Sequence, residues 1–169
     1  MDVPVGDERF DRYYRRMRLA LRLMLHGARA QIVSELSGFT QDQLATLKRR
    51  WLPGVEEGYR GPSPTSFAQF FRSAAKASHA ALFAALQRMV GLHSMEPCLE
   101  VGERLCDTYE IYREWEPRGK LEFGYALLLA TGTIKAEEVE LTTCPECGRA
   151  MLLDKRGAAN RTCTRCRGG

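Results

Sequence analysis

At 169 residues the chain has room for one ordinary domain and a small appendage, which excludes two full domains. Hydrophobic residues at 44% and charged residues at 27% are the balance of a globular protein with a packed core. No apolar run approaches the roughly 20 residues of a membrane helix, since Arg22 interrupts Leu19 to Leu25.

Met1 to Phe10 carries Asp2, Asp7 and Glu8 and lacks an apolar signal core, so the expected location is the cytoplasm. The net charge of +4 is spread unevenly. Arg9, Arg12, Arg15, Arg16, Arg18 and Arg22 crowd the N-terminal stretch, and basic residues return after Arg149. Between them lies an acidic segment with Glu96, Glu100, Glu103, Asp107, Glu110, Glu114 and Glu116. Basic ends around an acidic middle suit a protein that touches polyanions at some patches and protein partners elsewhere. The plainer reading is a set of solvated helix faces.

In chain order, Phe10 to Leu25 reads as a helix with Phe10, Tyr13/Tyr14, Met17, Leu21 and Met24 on its inner stripe. His26-Gly27 marks a break, and Ala28 to Leu36 a second helix. Thr40 is placed to cap a third helix to about Trp51, with Gln43 completing a capping box. Pro53 to Pro64 is rich in proline and glycine and is expected as a loop. A long helix is expected from Ser66 to Val90, its stripe running Phe67, Phe70/Phe71, Ala74, Ala81/Leu82, Ala85 and Met89, with Gly91 as its stop. Pro97 opens a helix to about Trp115, and a last one from Leu121 to Ala130 closes at Thr131-Gly132. The fold expected is mainly α, a multi-helix bundle over 9–132, followed by a small four-cysteine zinc ribbon over 139–169.

Cys144-Pro-Glu-Cys147-Gly and Cys163-Thr-Arg-Cys166 give the spacing C-x2-C-x15-C-x2-C. Two cysteines separated by two residues can turn both sulfurs to one point, and two such knuckles supply four thiolates in tetrahedral geometry. Gly148 suits the knuckle, where the bending backbone favours a residue tolerant of positive φ. Met151-Leu152-Leu153 and Asn160-Arg161-Thr162 are expected as a hairpin turning at Lys155-Arg156-Gly157. Disulfides are disfavoured in a cytoplasmic chain, and a redox pair would need a strand-helix context that Cys144 lacks. A catalytic zinc would keep one position open, whereas four thiolates fill the shell, so one structural Zn2+ is expected. Cys98 and Cys106, eight apart on one predicted helix, stand roughly 12 Å apart at Cα, too far for a disulfide. They are expected as buried core thiols. His26, His79 and His93 lack metal-ligand spacing to one another.

Ala30 to Arg49 has helix-turn-helix form, with Gly38 in the turn, Thr40 as cap, and Val33, Phe39, Leu44 and Leu47 at inward positions. Gln41, Asp42, Ala45, Thr46 and Arg49 then face outward. Gln41 would address bases, with Lys48, Arg49 and Arg50 on phosphates, and Thr46 is a further candidate DNA contact. Any capped helix pair in a bundle has the same pattern, and Asp42 would face phosphates unfavourably.

The blocks Leu23 to Arg29, the helix pair after them, Phe70-Phe71 with His79-Ala80-Ala81-Leu82-Phe83, and the four cysteines resemble the FlhC family of flagellar transcriptional activators. The likeness spans about Leu19 to Cys166. It implies a bacterial activator of motility genes that works with an FlhD-like subunit in a hetero-oligomer binding and bending double-stranded promoter DNA. RNA polymerase is a further expected contact, and a membrane is not. It also implies that Cys144, Cys147, Cys163 and Cys166 hold the zinc. The family's proline-lysine-glycine loop is replaced by Val55 to Pro62, and its tryptophan pair by Phe70 and Ala74, as in a divergent paralogue.

No Ser-His-Asp, phosphate-loop or paired-carboxylate pattern is present, so an enzyme is not expected. Phosphate contacts are expected from Arg149, Lys155, Arg156, Arg161, Arg165 and Arg167 of the ribbon. The competing expectation is a zinc-stabilised adapter that binds proteins and no DNA.

Overall fold

A computed structural model describes residues 8–55, 62–157 and 161–167. Within them the chain is mainly helical, with a single two-stranded antiparallel sheet. The chain divides into two compact units, Met1–Gly61 with Glu96–Glu103, and Pro62–Met95 with Arg104–Gly169. The cysteine-bearing segment lies in the same unit as residues 62–95.

The first unit holds α1 (Glu8–Leu25), α2 (Ala30–Ser37) and α3 (Gln41–Trp51). α1 buries Leu19, Ala20 and Leu23, so its inner face is rotated by about one residue from the expected stripe. Phe10, Tyr13 and Tyr14 remain exposed. The last two turns of α1 carry apolar residues on several sides, and periodicity there fits two adjacent faces equally. Packing against α2 and α3 selects between them.

The α2–α3 corner turns at Gly38. Gly38 takes φ 71°, where a side chain would be strained, and Ser37 Oγ bonds back to Val33 O at 2.6 Å. The capping box of α3 is complete: Gln43 N donates to Thr40 Oγ1 at 3.3 Å and Thr40 N to Gln43 Oε1 at 2.9 Å. Val33, Phe39, Leu44 and Leu47 are all buried. Arg16 locks the corner from α1. Its Nε donates to Ser37 O at 2.7 Å, its Nη2 reaches Gly38 O, and its guanidinium lies 4.5 Å from the Phe39 ring centroid. Arg15 forks onto Glu103, and that hydrogen bond holds the Glu103 carboxyl below the usual range. Two arginines of the basic N-terminal stretch are thus used inside the unit.

Residues 52–55 and 62–66 carry no helix or strand, and the rest of the expected loop, 56–61, lies outside the described residues. The helix expected from Ser66 to Val90 is two elements, a 3-10 turn Phe67–Phe71 and α4 (Ala74–Val90). Ser73 causes the break. Its backbone is extended (φ −149°, ψ 157°) and its hydroxyl accepts from Lys76 N at 3.2 Å, which starts a new helix. α4 buries Ala80, Ala81, Phe83, Ala84, Leu86 and Gln87, while Met89, expected inside, is 76% exposed. Gly91 ends it in the left-handed conformation, as expected. Gln87, a buried amide, is satisfied by Thr133 Oγ1 at 2.9 Å, Ala130 O at 3.2 Å and Leu92 O at 3.4 Å.

α5 runs Leu99–Trp115, and its second half buries Tyr112 against Phe83 and His79. Tyr112 Oη and His79 Nδ1 are 3.2 Å apart, so this histidine belongs to the core. α6 (Phe123–Lys135) runs past Gly132 and stops only at Ala136, in a left-handed cap with φ 51°. Gly132 is therefore not a turn residue. It is buried, and a Cβ there would overlap the Phe67 ring and come within 2.9 Å of Val139 Cγ2. Gly132→Ala is expected to destabilise the protein by about 1–3 kcal/mol in urea unfolding, although alanine favours a helix by about 1 kcal/mol. Equal or higher stability would show that the close approach of Phe67 is not maintained.

β1 (Val139–Thr143) pairs antiparallel with β2 (Ala150–Asp154), in register from Val139↔Asp154 to Thr143↔Ala150. This differs from the expected hairpin. Met151 to Leu153 pair with residues before the first cysteine pair, Arg161 and Thr162 form a bend, and Asn160 lies outside the described residues. Lys155-Arg156-Gly157 do turn, held by Asp154 Oδ1, which accepts from Arg156 N at 2.9 Å and Gly157 N at 3.2 Å. A short helix α7 (Thr164–Arg167) carries the last cysteine. α4 packs against β2 and α7, and α6 against β1. Among the described residues no helix is long and apolar enough to cross a membrane.

Candidate metal centre and its basic surroundings

The first cysteine pair sits in the connection between β1 and β2. Cys144 N donates to Arg149 O and Gly148 N to Cys144 O, each at 2.8 Å, which closes the turn, and Gly148 takes the expected positive φ of 71°. The second pair straddles the start of α7, where Arg167 N donates to Cys163 O at 3.1 Å. These two turns bring the sulfurs of Cys144, Cys147, Cys163 and Cys166 within 4.8 Å of one another. Among the described residues they form the only group of three or more His, Cys, Asp or Glu side chains arranged to hold a metal ion.

The donor set fits a soft tetrahedral cation. Thiolates at a metal–sulfur distance of about 2.3 Å lie about 3.8 Å from each other, close to the separations here. Cys147 Sγ and Cys163 Sγ are 3.5 Å apart, well beyond a disulfide bond, and all six cysteines are free. Backbone amides face the cluster: Cys163 N donates to Cys144 Sγ at 3.3 Å. That bond, with the amides of Cys147 and Glu146, draws the Cys144 thiol down to about 6, against the opposing effect of burial. The amides of Cys166 and Arg165 lower Cys163 in the same way. Cys166 is pushed up, because the thiols of Cys147 and Cys163 crowd it. Crowding of this kind is relieved when a cation shares the four sulfurs. Cys144, Cys163 and Met151 are buried and Cys166 packs on them, so three of the four members of this small core are themselves candidate ligands.

The other two cysteines differ from each other. Cys106 is buried as expected, but Cys98 is exposed and precedes the first turn of α5 instead of lying within it. It follows Pro97 directly, at the entrance to the helix.

The basic residues fall into distinct groups. On α3, Gln41, Thr46, Arg49 and Arg50 are exposed and Lys48 is half-buried. Lys48, Arg49 and Arg50 form the last turn, where cations complement the helix dipole, and Arg50 leans on the Trp51 ring at 5.5 Å. Beyond β2, Lys155 Nζ pairs with Glu140 at 2.9 Å and donates to Ala136 O at 2.6 Å, and Arg156 pairs with Glu138 at 3.1 Å. These two side chains hold the open end of the hairpin together. Arg149, Arg161, Arg165 and Arg167 are exposed on the cysteine-bearing finger and, among the described residues, make no ion pair. Arg167 keeps one hydrogen bond, to Thr162 O at 2.9 Å.

Sequence reasoning missed Arg72. It lies at the end of the 3-10 turn, exposed and without an ion pair among the described residues, and faces the same groove as Arg149, Arg165 and Arg167. Only the helix break at Ser73, invisible to periodicity, puts it there. In comparisons with known proteins, no family model matches the chain and no curated protein gives a significant match.

Proposed function

We propose that this chain is a DNA-binding transcriptional activator of the FlhC type, without catalytic activity, carrying one structural zinc ion. The observation that carries the proposal is the four-sulfur cluster that folds a finger bearing Arg149, Arg161, Arg165 and Arg167, none of them ion-paired among the described residues. Zinc is favoured because an all-sulfur tetrahedral set of two C-x2-C pairs is its usual structural site. With every position taken by a thiolate, such an ion supplies folding energy and no open site for chemistry. Unpaired guanidiniums bind phosphates without first breaking an internal ion pair, and counterion release makes that binding salt-sensitive. The order of helical blocks before the finger supports an FlhC-like role in the cytoplasm, on flagellar promoters, with an FlhD-like subunit and with RNA polymerase as a further contact. α3 would add selectivity through Gln41 and Thr46.

A second reading, a zinc-stabilised protein adapter, is favoured by one observation. Tyr13 and Met17 of α1, Phe39, and Leu47 and Trp51 of α3 line a cleft that also takes in Thr46 and Arg50. An amphipathic cleft of this kind suits a helix from a partner as well as it suits nucleic acid. Electrophoretic mobility shifts of the zinc-loaded chain with duplex DNA, with and without an FlhD-like subunit, separate the two readings. The activator should bind, and its affinity should fall steeply between low and moderate salt. An adapter should give no shift under any condition.

A further inference from the structure

We propose that the groove between α4 and the cysteine-bearing finger is the seat of one sugar–phosphate strand of duplex DNA, with Arg72, Arg149, Arg165 and Arg167 as its phosphate contacts. This inference rests on the DNA-binding reading above and adds to it a particular face and a residue, Arg72, outside the finger.

The groove has a volume of about 640 Å³ and belongs wholly to the second unit. Arg72 and the first three turns of α4 form one wall; Arg149 to Leu152 and Thr162 to Arg167 form the other. Four of the lining residues are arginines, and among the described residues no aspartate or glutamate lines it. Balanced surfaces interleave both signs, so a concavity holding four guanidiniums and no carboxylate focuses positive potential. Among the described residues Arg72, Arg149 and Arg165 make no ion pair, and the first turn of α4 carries no acid to repel an anion.

The occupant follows from the shape of the charge. The guanidiniums are spread over both walls and not gathered at a point, which fits a repeating anion better than a single carboxylate. On the α4 side Ala74, Ala77 and Ala81 are among the lining residues, and their short side chains let a backbone lie close to the helix. Hydroxyls at Ser73, Ser78 and Thr164 add neutral donors of the kind that accompany arginine on phosphates. An acidic protein segment would bind such charges too, and it is the competing outcome of the test below. Lys155 and Arg156 lie outside the groove and are held by Glu140 and Glu138, so they are not part of the track.

Fluorescence anisotropy of the full zinc-loaded chain with a random-sequence DNA duplex, titrated at several salt concentrations, tests this. The variant Arg72→Ala/Arg149→Ala/Arg165→Ala should bind roughly 10- to 100-fold more weakly, with its log K against log salt slope reduced by about 2 to 3. Arg72→Glu alone, which leaves the finger's sequence intact, should also weaken binding with zinc content unchanged. Lys155→Ala/Arg156→Ala should change the affinity less than about threefold. If the wild-type chain binds the duplex and the triple variant keeps both affinity and slope, the groove is not the track, although the DNA-binding reading stands. A triple variant that loses binding to polyglutamate and keeps binding to DNA would identify the groove as an acidic-protein site and overturn the proposal. If the wild-type chain binds no duplex at any salt, the DNA-binding reading itself fails and the groove assignment fails with it.

Discussion

Cys163→Ser is expected to lower bound metal from one ion per chain to near zero and to unfold the finger while leaving the helices formed. Cys163 is 7% exposed, its amide donates to Cys144 Sγ, and its own sulfur lies 3.5 Å from Cys147 Sγ. Serine keeps the size but loses the thiolate, and three remaining sulfurs with a neutral hydroxyl bind zinc far more weakly. Among the described residues, Met151 is the one member of the small core around the sulfurs that is not a cysteine, so that core depends on them. Structural zinc in such segments contributes on the order of 10–16 kcal/mol of apparent binding energy, more than so few apolar contacts supply. The helical core around Phe83 and Leu129 does not include the finger's sulfurs, so far-ultraviolet circular dichroism should change little. Elemental analysis with hydrogen exchange across Cys144 to Arg167 checks this. Full metal content in the variant would exclude the ligand set. Cys98→Ser, at an exposed thiol that is not one of the four, should retain its metal.

The second large effect is expected from Phe83→Ala, a loss of about 3–5 kcal/mol of unfolding free energy. Phe83 is 0% exposed, and the Tyr112 ring meets it edge-on with centroids 6.1 Å apart. Of its buried neighbours along α4, Ala80, Ala81 and Ala84 are too short to move into the vacated space, and Gln87 is held by its hydrogen bonds to Thr133 and Ala130, which leaves Leu86. The cavity would stay largely open, which puts the cost toward the upper part of the range. Met89→Ala makes the contrast. The periodic stripe places Met89 in the core, but it is 76% exposed, and its removal should change stability by less than about 0.5 kcal/mol. Urea unfolding at constant m-value measures both. A cost below about 1 kcal/mol for Phe83→Ala would mean that the core of the second unit lies elsewhere.

The four-cysteine cluster was legible in the sequence because a C-x2-C pair is a local geometric statement: two sulfurs separated by two residues converge with little help from the rest of the chain. The Thr40–Gln43 capping box and the left-handed Gly38, Gly91 and Gly148 were legible for the same reason. The β1–β2 pairing was misread, although Val139 and Leu141 alternate with Glu140 and Thr142 in a pattern a strand would give. A cysteine pair between two strands hid the hairpin, because the Cys144–Cys147 spacing reads as a ligand knuckle and Gly148 as part of it, and not as the turn that joins two strands. The break at Ser73 was missed because serine is tolerated inside helices, and only its extended backbone makes it a cap.

By itself, then, the sequence determined what is encoded within a few residues: the helices, their caps, the two cysteine knuckles and the arginines between them. Tertiary structure alone decided which faces are buried and which charges remain available. It turned Gly132 from an expected stop into a contact site for Phe67, rotated the inner face of α1, and tied Lys155 and Arg156 to Glu140 and Glu138. Arg72 and Arg149, 77 positions apart, meet in one groove only once the finger packs on α4. Burial and ion pairing depend on neighbours distant in the chain, and local periodicity carries no record of them.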